Sequence, residues 1–347
     1  AYGQAAVGAV GYGVLAYKGD DKQLPMASTN KVLTALVILE AKPIDSALPP
    51  TTIVITEADV EAYNKNAADG HSVLPVIAGE SLTQYQALQA LLLPSANNIA
   101  DILGKWAFGS NEEYIKYANS FAKKLGMNNT VIADASGFSP QTVSTAKDLT
   151  LLAEAALNNP IITEIVNQSY ADLPMAGRVY NINRLIGRDG IIGIKTGNTD
   201  EAGGCYIFAA KRTVLDENII VFGAIMGAPN LDTAMVDSLP LINASYQNFV
   251  KTNVISNGQV FGSIQQPAGP DIPVSANGDL SVITWKEQPP TASSTLKEIK
   301  SSVTAGQSVG TVVVHQGKKT IHVDLKANNS TLPVTPVWRL RYAAGYL

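Results

Sequence analysis

Ser28 and Lys31 stand three residues apart in Pro25-Met26-Ala27-Ser28-Thr29-Asn30-Lys31, directly ahead of the apolar run Val32-Leu33-Thr34-Ala35-Leu36-Val37-Ile38-Leu39. A serine hydroxyl is a weak nucleophile until a neighbouring base takes its proton. A lysine amine is such a base only after losing its own. On a helix, side chains three apart share a face, with Cβ atoms about 5–6 Å apart, so this amine can reach this hydroxyl. Apolar residues at 32, 33, 36, 37 and 39, with no Gly or Pro from 26 to 42, predict a buried helix that begins near Ser28.

Spacing alone is not decisive. Ser-x-x-Lys occurs four times, at Ser28, Ser120, Ser144 and Ser294, and a serine at a helix start is ordinarily a cap. Ser120 and Ser144 fall in, or at the start of, charged amphipathic helices, and Ser294 in a Thr/Ser/Lys-rich connection; all three read as solvated surface. Two further groups, in order, set Ser28 apart. Ser95-Ala96-Asn97 follows Pro94 in a break between two helical segments, and Lys195-Thr196-Gly197 lies on a strand predicted from Ile191. A second Ser275-Ala276-Asn277 comes after Lys-Thr-Gly and runs into Gly-Asp, as a turn would.

These groups suit acyl transfer. A free lysine has a pKa of about 10.4, so roughly one in a few thousand is neutral at pH 7. Bringing Lys31 near 7 takes about three units, on the order of 4 kcal/mol, from burial and nearby positive charge. Lys195 is expected to supply that charge from a strand beside the Ser28 helix, making Lys31 the general base and Lys195 its electrostatic partner. Ser95 can relay a proton to the leaving amine. Asn97 offers an amide to hold the substrate backbone or Lys31. A Lys-Thr-Gly strand can pair with an extended peptide, with Gly197 permitting close approach. Thr196 and Lys195 can bind a terminal carboxylate, and the backbone N–H groups of Ser28 and Asn198 can form an oxyanion hole.

The elements that must position these groups are legible in outline. At 347 residues the chain suggests two domains. Residues 5–18 read as two short strands with a tight turn near 11–13, and 42–82 as a surface excursion. Helical periodicity covers 83–93, 98–106, 111–125 (capped by Ser110, closed by Gly126) and 144–157, with Asn158-Asn159-Pro160 as a stop. Strands follow at 191–196, 203–211 and 218–226, then a closing helix after Asp232 to about 250, interrupted by Pro240. This predicts an α/β (α+β) domain over 1–252, an antiparallel sheet with helices on it. From 253 to 347, β-branched runs at 281–285, 310–315 and 319–325 predict a small all-β domain.

Composition narrows the chemistry. A net charge of -4 without a basic run gives no footprint for nucleic acid. The one cysteine, Cys205, can form no internal disulfide, and His71, His315 and His322 are too scattered for a metal constellation, so no metal or other cofactor is expected. Cys205 is expected buried on an apolar strand, Trp106 and Trp285 in the core, and His71 at the surface. No apolar stretch is long enough to span a bilayer. The start at Ala1 without Met fits a removed leader or a trimmed chain.

The ordered set Ser-x-x-Lys, Ser-x-Asn, Lys-Thr-Gly is that of penicillin-binding proteins and serine β-lactamases. Together with Gly79-Glu80, Lys124-Leu125-Gly126-Met127-Asn128-Asn129-Thr130, and Asp189-Gly190 through Ala202-Gly203 around Lys195, it makes most of the chain resemble the D-alanyl-D-alanine carboxypeptidases, the low-molecular-mass penicillin-binding proteins. The resemblance implies a transpeptidase-like domain followed by a small β domain. It also implies an exported, cell-wall-facing enzyme that removes the terminal D-alanine from peptidoglycan stem peptides through an acyl-enzyme on Ser28. β-Lactams would acylate it, and a membrane tether would lie beyond Leu347. Relatives commonly carry an arginine shortly after the strand ending here at Met226-Gly227; residues 228–239 contain no basic residue, leaving Arg178, Arg184 or Arg188 as substitutes. Two alternatives share parts of this pattern. A serine β-lactamase would need a deacylating base, for which Glu154-Ala155-Ala156-Leu157-Asn158 is a literal match on a helix where the glutamate is expected to face solvent. A non-catalytic wall-binding or β-lactam-sensing protein would use the β domain.

Overall fold

A computed structural model describes residues 2–267, 269–299 and 302–344. The chain divides into two compact units, Ala1–Val10 with Val14–Gln247, and Gly11–Gly13 with Asn248–Leu347. The division falls ahead of a strand, Phe249–Ile255, which a limit at 252/253 would cut.

The first unit runs β1 (Gln4–Ala9), β2 (Gly13–Lys18), β3 (Leu24–Pro25), a 3-10 turn (Ala27–Asn30), α1 (Lys31–Ala41), β4 (Thr52–Val54), α2 (Glu57–Ala68), β5 (Ser81–Thr83), α3 (Gln84–Leu92), α4 (Asn97–Phe108) and α5 (Asn111–Lys124). It continues with β6 (Val143–Ser144), α6 (Ala146–Leu157), α7 (Pro160–Val166), β7 (Tyr170–Leu173), β8 (Gly177–Tyr180), β9 (Ile191–Thr199), β10 (Gly203–Val214), β11 (Glu217–Ala228) and α8 (Leu231–Gln247). Its main sheet has the order β2-β1-β11-β10-β9, and β1–β11, β11–β10 and β10–β9 pair antiparallel. β9, the Lys-Thr-Gly strand, is therefore an edge. α6 and α8 pack on the sheet.

α1 explains the helical layer. Every residue from Lys31 to Leu39 is buried, and a helix apolar on all sides must be covered on all sides. α3, α4, α5 and α6 all pack against it. The turn that carries Ser28 is thus the entry to the most enclosed helix of the unit.

Several expectations are corrected. Residues 42–82 are not a surface excursion: Ile53, Ile55, Leu74, Val76 and Leu82 belong to the core, and α2 forms with a Thr56–Asp59 capping box. α2 fully buries only Asp59 and packs Val60 and Tyr63 half-buried against the core, so its apolar stripe is too short to read. Asn158-Asn159-Pro160 ends α6 but also starts α7, with Asn159 accepting from the N–H groups of Ile161 and Ile162 and Pro160 in the first turn. Pro240 does not interrupt α8. It is exposed, so the carbonyl one turn back that loses its partner can turn to water. Ser144 is buried, not surface; it pairs with Leu24 through β6 and β3 and shares a 2.8 Å hydrogen bond with Thr130 Oγ1, while Thr145 caps α6.

The second unit contains β12 (Phe249–Ile255), β13 (Val260–Ile264), β14 (Ile272–Ala276), β15 (Leu280–Trp285), β16 (Thr291–Leu296), β17 (Ser308–Gln316), β18 (Lys319–Ala327) and α9 (Pro336–Ala343). β12 pairs with β15, and a five-stranded sheet has the order β13-β14-β18-β17-β16 around a core that includes Ile255, Ile272, Val274, Val312 and Leu325. α9 departs from the all-β expectation, and buries none of its residues. Ser294 lies on exposed β16 instead of a connection, and Ser275 and Ala276 lie on β14 instead of a turn.

Candidate active site

Ser28 does not cap a helix. It sits inside the 3-10 turn with no side-chain capping bond, which leaves its hydroxyl free to face a partner. That partner is Lys31, whose Nζ lies 2.7 Å from Ser28 Oγ, 2.7 Å from Asn97 Oδ1 and 2.8 Å from the Ser136 carbonyl. Asn97 is held in place by its own N–H, donated to the Ser72 carbonyl at 2.8 Å.

Burial lowers the Lys31 pKa to about 7, against an opposing pull from the carboxylates of Asp134 and Asp101. Of the two expected causes, burial and a nearby positive charge, burial dominates. Desolvation carries the shift, because the amine is cut off from water on the most enclosed helix. Lys195 is also fully buried; its pKa is pushed well down by burial first and by Lys31 second, and its Nζ donates to the Thr196 carbonyl at 3.0 Å.

β9 lies against the Ser28 turn. A Cβ on Gly197 would stand 3.0 Å from the backbone nitrogens of both Ser28 and Thr29, so any side chain there would force the turn or the strand to give way, and glycine permits the approach without it. Ser28, Ser95, Thr196, Gly197 and Asn198 line one cleft, with Ser72, Ile182 and Leu231. Ser95 has φ +67° and a buried Oγ without a hydrogen-bond partner. A buried hydroxyl left unpaired costs about 1–3 kcal/mol, and a non-glycine residue held at positive φ adds strain; both are typical of functional positions. All of Ser28, Lys31, Ser95, Asn97, Lys195, Thr196, Gly197 and Asn198 therefore meet around one cleft or its floor.

The loop behind Lys31 went unread in the sequence. Asp134 accepts hydrogen bonds from Ser136 N–H (3.2 Å), Ser136 Oγ (2.6 Å) and Phe138 N–H (3.0 Å), and from the Thr142 hydroxyl. These bonds aim the Ser136 carbonyl at Lys31. Gly137, at φ +77°, packs so closely that a Cβ would fall 1.9 Å from the Ala27 carbonyl oxygen. Asp-x-Ser-Gly is a turn signature, and that was the available signal.

His71 is not simply at the surface. Its ring lies 3.7 Å from that of Phe138, and both line a second cleft with Asn97, Asp101, Asp134 and Ser136. No arginine lines the Ser28 cleft among the described residues. Arg178 pairs with Asp172, and Arg184 with Asp232 beside the cleft residue Leu231. Glu154 is half-buried on α6, and the partners of Lys31 come from other elements. Cys205 is buried on β10 and Trp285 in the second unit, as expected, and Trp106 packs against the core.

A profile of the D-alanyl-D-alanine carboxypeptidase family matches residues 7–228. The chain belongs to this family. The D-alanyl-D-alanine carboxypeptidase DacF of Bacillus subtilis (strain 168) is 27% identical over 316 residues, covering 87% of this chain and 78% of that protein. Among solved structures, the Streptomyces K15 DD-transpeptidase aligns with a TM-score of 0.62 at 26% identity, over 70% of this chain and 95% of its own. A penicillin binding protein 5 from Haemophilus influenzae aligns with a TM-score of 0.68 over 95% of this chain and 97% of its own; at 19% identity this likeness concerns the fold, including the β unit that follows the carboxypeptidase domain.

Proposed function

We propose that this carboxypeptidase-family protein removes the terminal D-alanine from peptidoglycan stem peptides through an acyl-enzyme on Ser28, and that β-lactams acylate the same hydroxyl. The observation that carries the reading is the set of Lys31 partners. A neutral amine has two N–H donors and one lone pair. Asn97 Oδ1 and the Ser136 carbonyl accept only, and they take the two donors. The lone pair is then left for the Ser28 proton at 2.7 Å. With a pKa of about 7, about half of the Lys31 amines are neutral at neutral pH, against roughly one in a few thousand for a free lysine.

In the first step Lys31 takes the proton as Ser28 Oγ bonds to the carbonyl carbon of the scissile amide. The oxyanion accepts from the N–H groups of Ser28 and Asn198. The Ser95 hydroxyl, free of other partners, passes a proton to the departing amine and is refilled from Lys31. D-Alanine leaves, its carboxylate having been held by Thr196 and Lys195. Water then attacks the ester by the reverse proton path. The substrate backbone adds to the open edge of β9.

Such a reaction is extracytoplasmic. Any tether beyond Leu347 lies outside the described residues, and no helix among them is long and apolar enough to cross a membrane. Incubating defined muropeptides with wild type and Ser28→Ala and weighing the products tests the reading. Loss of one alanine by wild type alone supports it; cleavage at a cross-link would make the enzyme an endopeptidase, and rapid penicillin turnover without a lasting adduct would make it a β-lactamase.

A further inference from the structure

The hairpin β7–β8 presents a face that this chemistry leaves unused. Its register pairs Tyr170 with Tyr180, Ala171 with Val179, and Asp172 with Arg178. Alternation along the strands turns Ala171, Leu173 and Val179 against the core and leaves Tyr170, Asp172, Arg178 and Tyr180 outside. The inner face anchors the hairpin, yet the outer face carries two large rings, 48% and 66% exposed, with centroids 6.5 Å apart. The Arg178 guanidinium stacks 4.2 Å over the Tyr170 ring and forks onto Asp172, Nε to Oδ1 at 2.9 Å and Nη2 to Oδ2 at 3.0 Å.

This combination selects a ligand class. Exposed aromatic rings ask for apolar C–H surface. The fork spends two of the five guanidinium donors and leaves carboxylate lone pairs open, so it can meet many hydroxyls in fixed directions. Because both charges stand side by side, the face favours neither an anion nor a cation. A neutral, hydroxyl-rich molecule with C–H faces is a saccharide. The face also lies close along the chain to the Ser28 cleft. Tyr180 precedes the cleft residue Ile182 by two positions, at most about 7 Å of chain. Asn181 between them is clamped by Nδ2 donating to the Val166 and Gln168 carbonyls at 3.1 and 2.9 Å.

We propose that the outer face of β7–β8 binds the glycan to which the stem peptide is attached, adding affinity for the polymeric substrate beyond the peptide's own. The inference rests on the peptidase reading above. Its test compares D-alanine release from a sugar-free D-Ala-D-Ala peptide and from intact peptidoglycan, for wild type and the Tyr170→Ala/Tyr180→Ala double variant. It adds co-sedimentation of Ser28→Ala protein, with and without the tyrosines, on peptide-free glycan strands. The double variant is expected to keep kcat/KM on the free peptide and its Tm, to lose roughly fivefold or more on the polymer through KM, and to stop sedimenting with bare glycan. An equal fall on both substrates, an unchanged polymer KM, or no glycan binding by the Ser28→Ala protein overturns the proposal. If wild type releases D-alanine from neither substrate, the peptidase reading fails, and sedimentation on bare glycan still decides this one.

Discussion

The chain carries Ser-x-x-Lys at Ser28–Lys31 and again at Ser144–Lys147, and both copies end a β or turn segment and enter a helix. Their serines are both sheltered, but their lysines are not alike. Lys31 opens a helix buried on every side and meets three hydrogen-bond partners. Lys147 opens a helix with one outward face, where it stays exposed and lies 5.2 Å over the Tyr17 ring. The first lysine is dehydrated and its pKa falls; the second keeps its water. Motif spacing supplies reach, and only the surroundings supply a base.

The sharpest break of this comparison is to exchange the copies. Ser28→Ala should abolish penicillin adduct formation and Lys31→Ala should lower its rate by on the order of a thousandfold, followed by mass spectrometry, whereas Ser144→Ala should leave the rate unchanged. Its effect falls on stability, about 1 kcal/mol in urea unfolding, through the lost partner of Thr130 Oγ1.

Next in size is Gly197→Ala. The added methyl meets the Ser28 and Thr29 nitrogens at 3.0 Å and must push β9 away from the turn. A displacement of that order costs about 10–100-fold in kcat/KM, with the fold intact by circular dichroism.

Smaller, and more specific to burial, are the pH effects. Acylation should rise with pH through about 7, where Lys31 becomes neutral. Asp134→Asn removes a carboxylate that raises this pKa, so the acid limb of the acylation profile should move to lower pH; movement to higher pH would contradict the assigned electrostatics. The same shift affects stability. The unfolded amine holds its proton up to the ordinary 10.5 and the folded amine releases it near 7, so the unfolded state binds more protons in that window and Lys31 makes stability rise with pH across it. Lys31→Met should flatten that rise. Smallest of all, Lys147→Ala should change unfolding free energy by less than about 1 kcal/mol and leave the pH profile where it is.

Which parts were legible follows from what each segment buries. α1, α3 and α4 announce themselves because their apolar residues repeat at helical spacing, and β9 to β11 because β-branched residues cluster between glycines. α2 does not, since a helix that fully buries only Asp59 and half-buries only Val60 and Tyr63 against the core has too short a stripe, and its clearest local signal was the Thr56–Asp59 cap. Pro160 and Pro240 misled for opposite reasons: proline can begin a helix as well as stop one, and on an exposed face its missing donor can be made good by water. In the site, Ser28, Lys31, Ser95, Asn97 and Lys195 to Asn198 were readable as residue types in order. Asp134, Ser136 and Gly137 were not, because Ser136 contributes a backbone carbonyl, Gly137 a close approach, and the Asp134 carboxylate acts by holding that loop.

The residue string alone determined the inventory: a hydroxyl with an amine one helical turn away, a second hydroxyl and amide in a loop, a third motif on a strand, and a mostly apolar helix to bury the first pair. Tertiary structure alone decided which of the four Ser-x-x-Lys copies has a dry amine, that desolvation is the main cause of its lowered pKa, and that the Ser136 carbonyl completes its cage. The reason is physical. Spacing along a chain controls only local distance, while dehydration of a charge depends on every segment packed around it, and those segments come from positions more than a hundred residues apart.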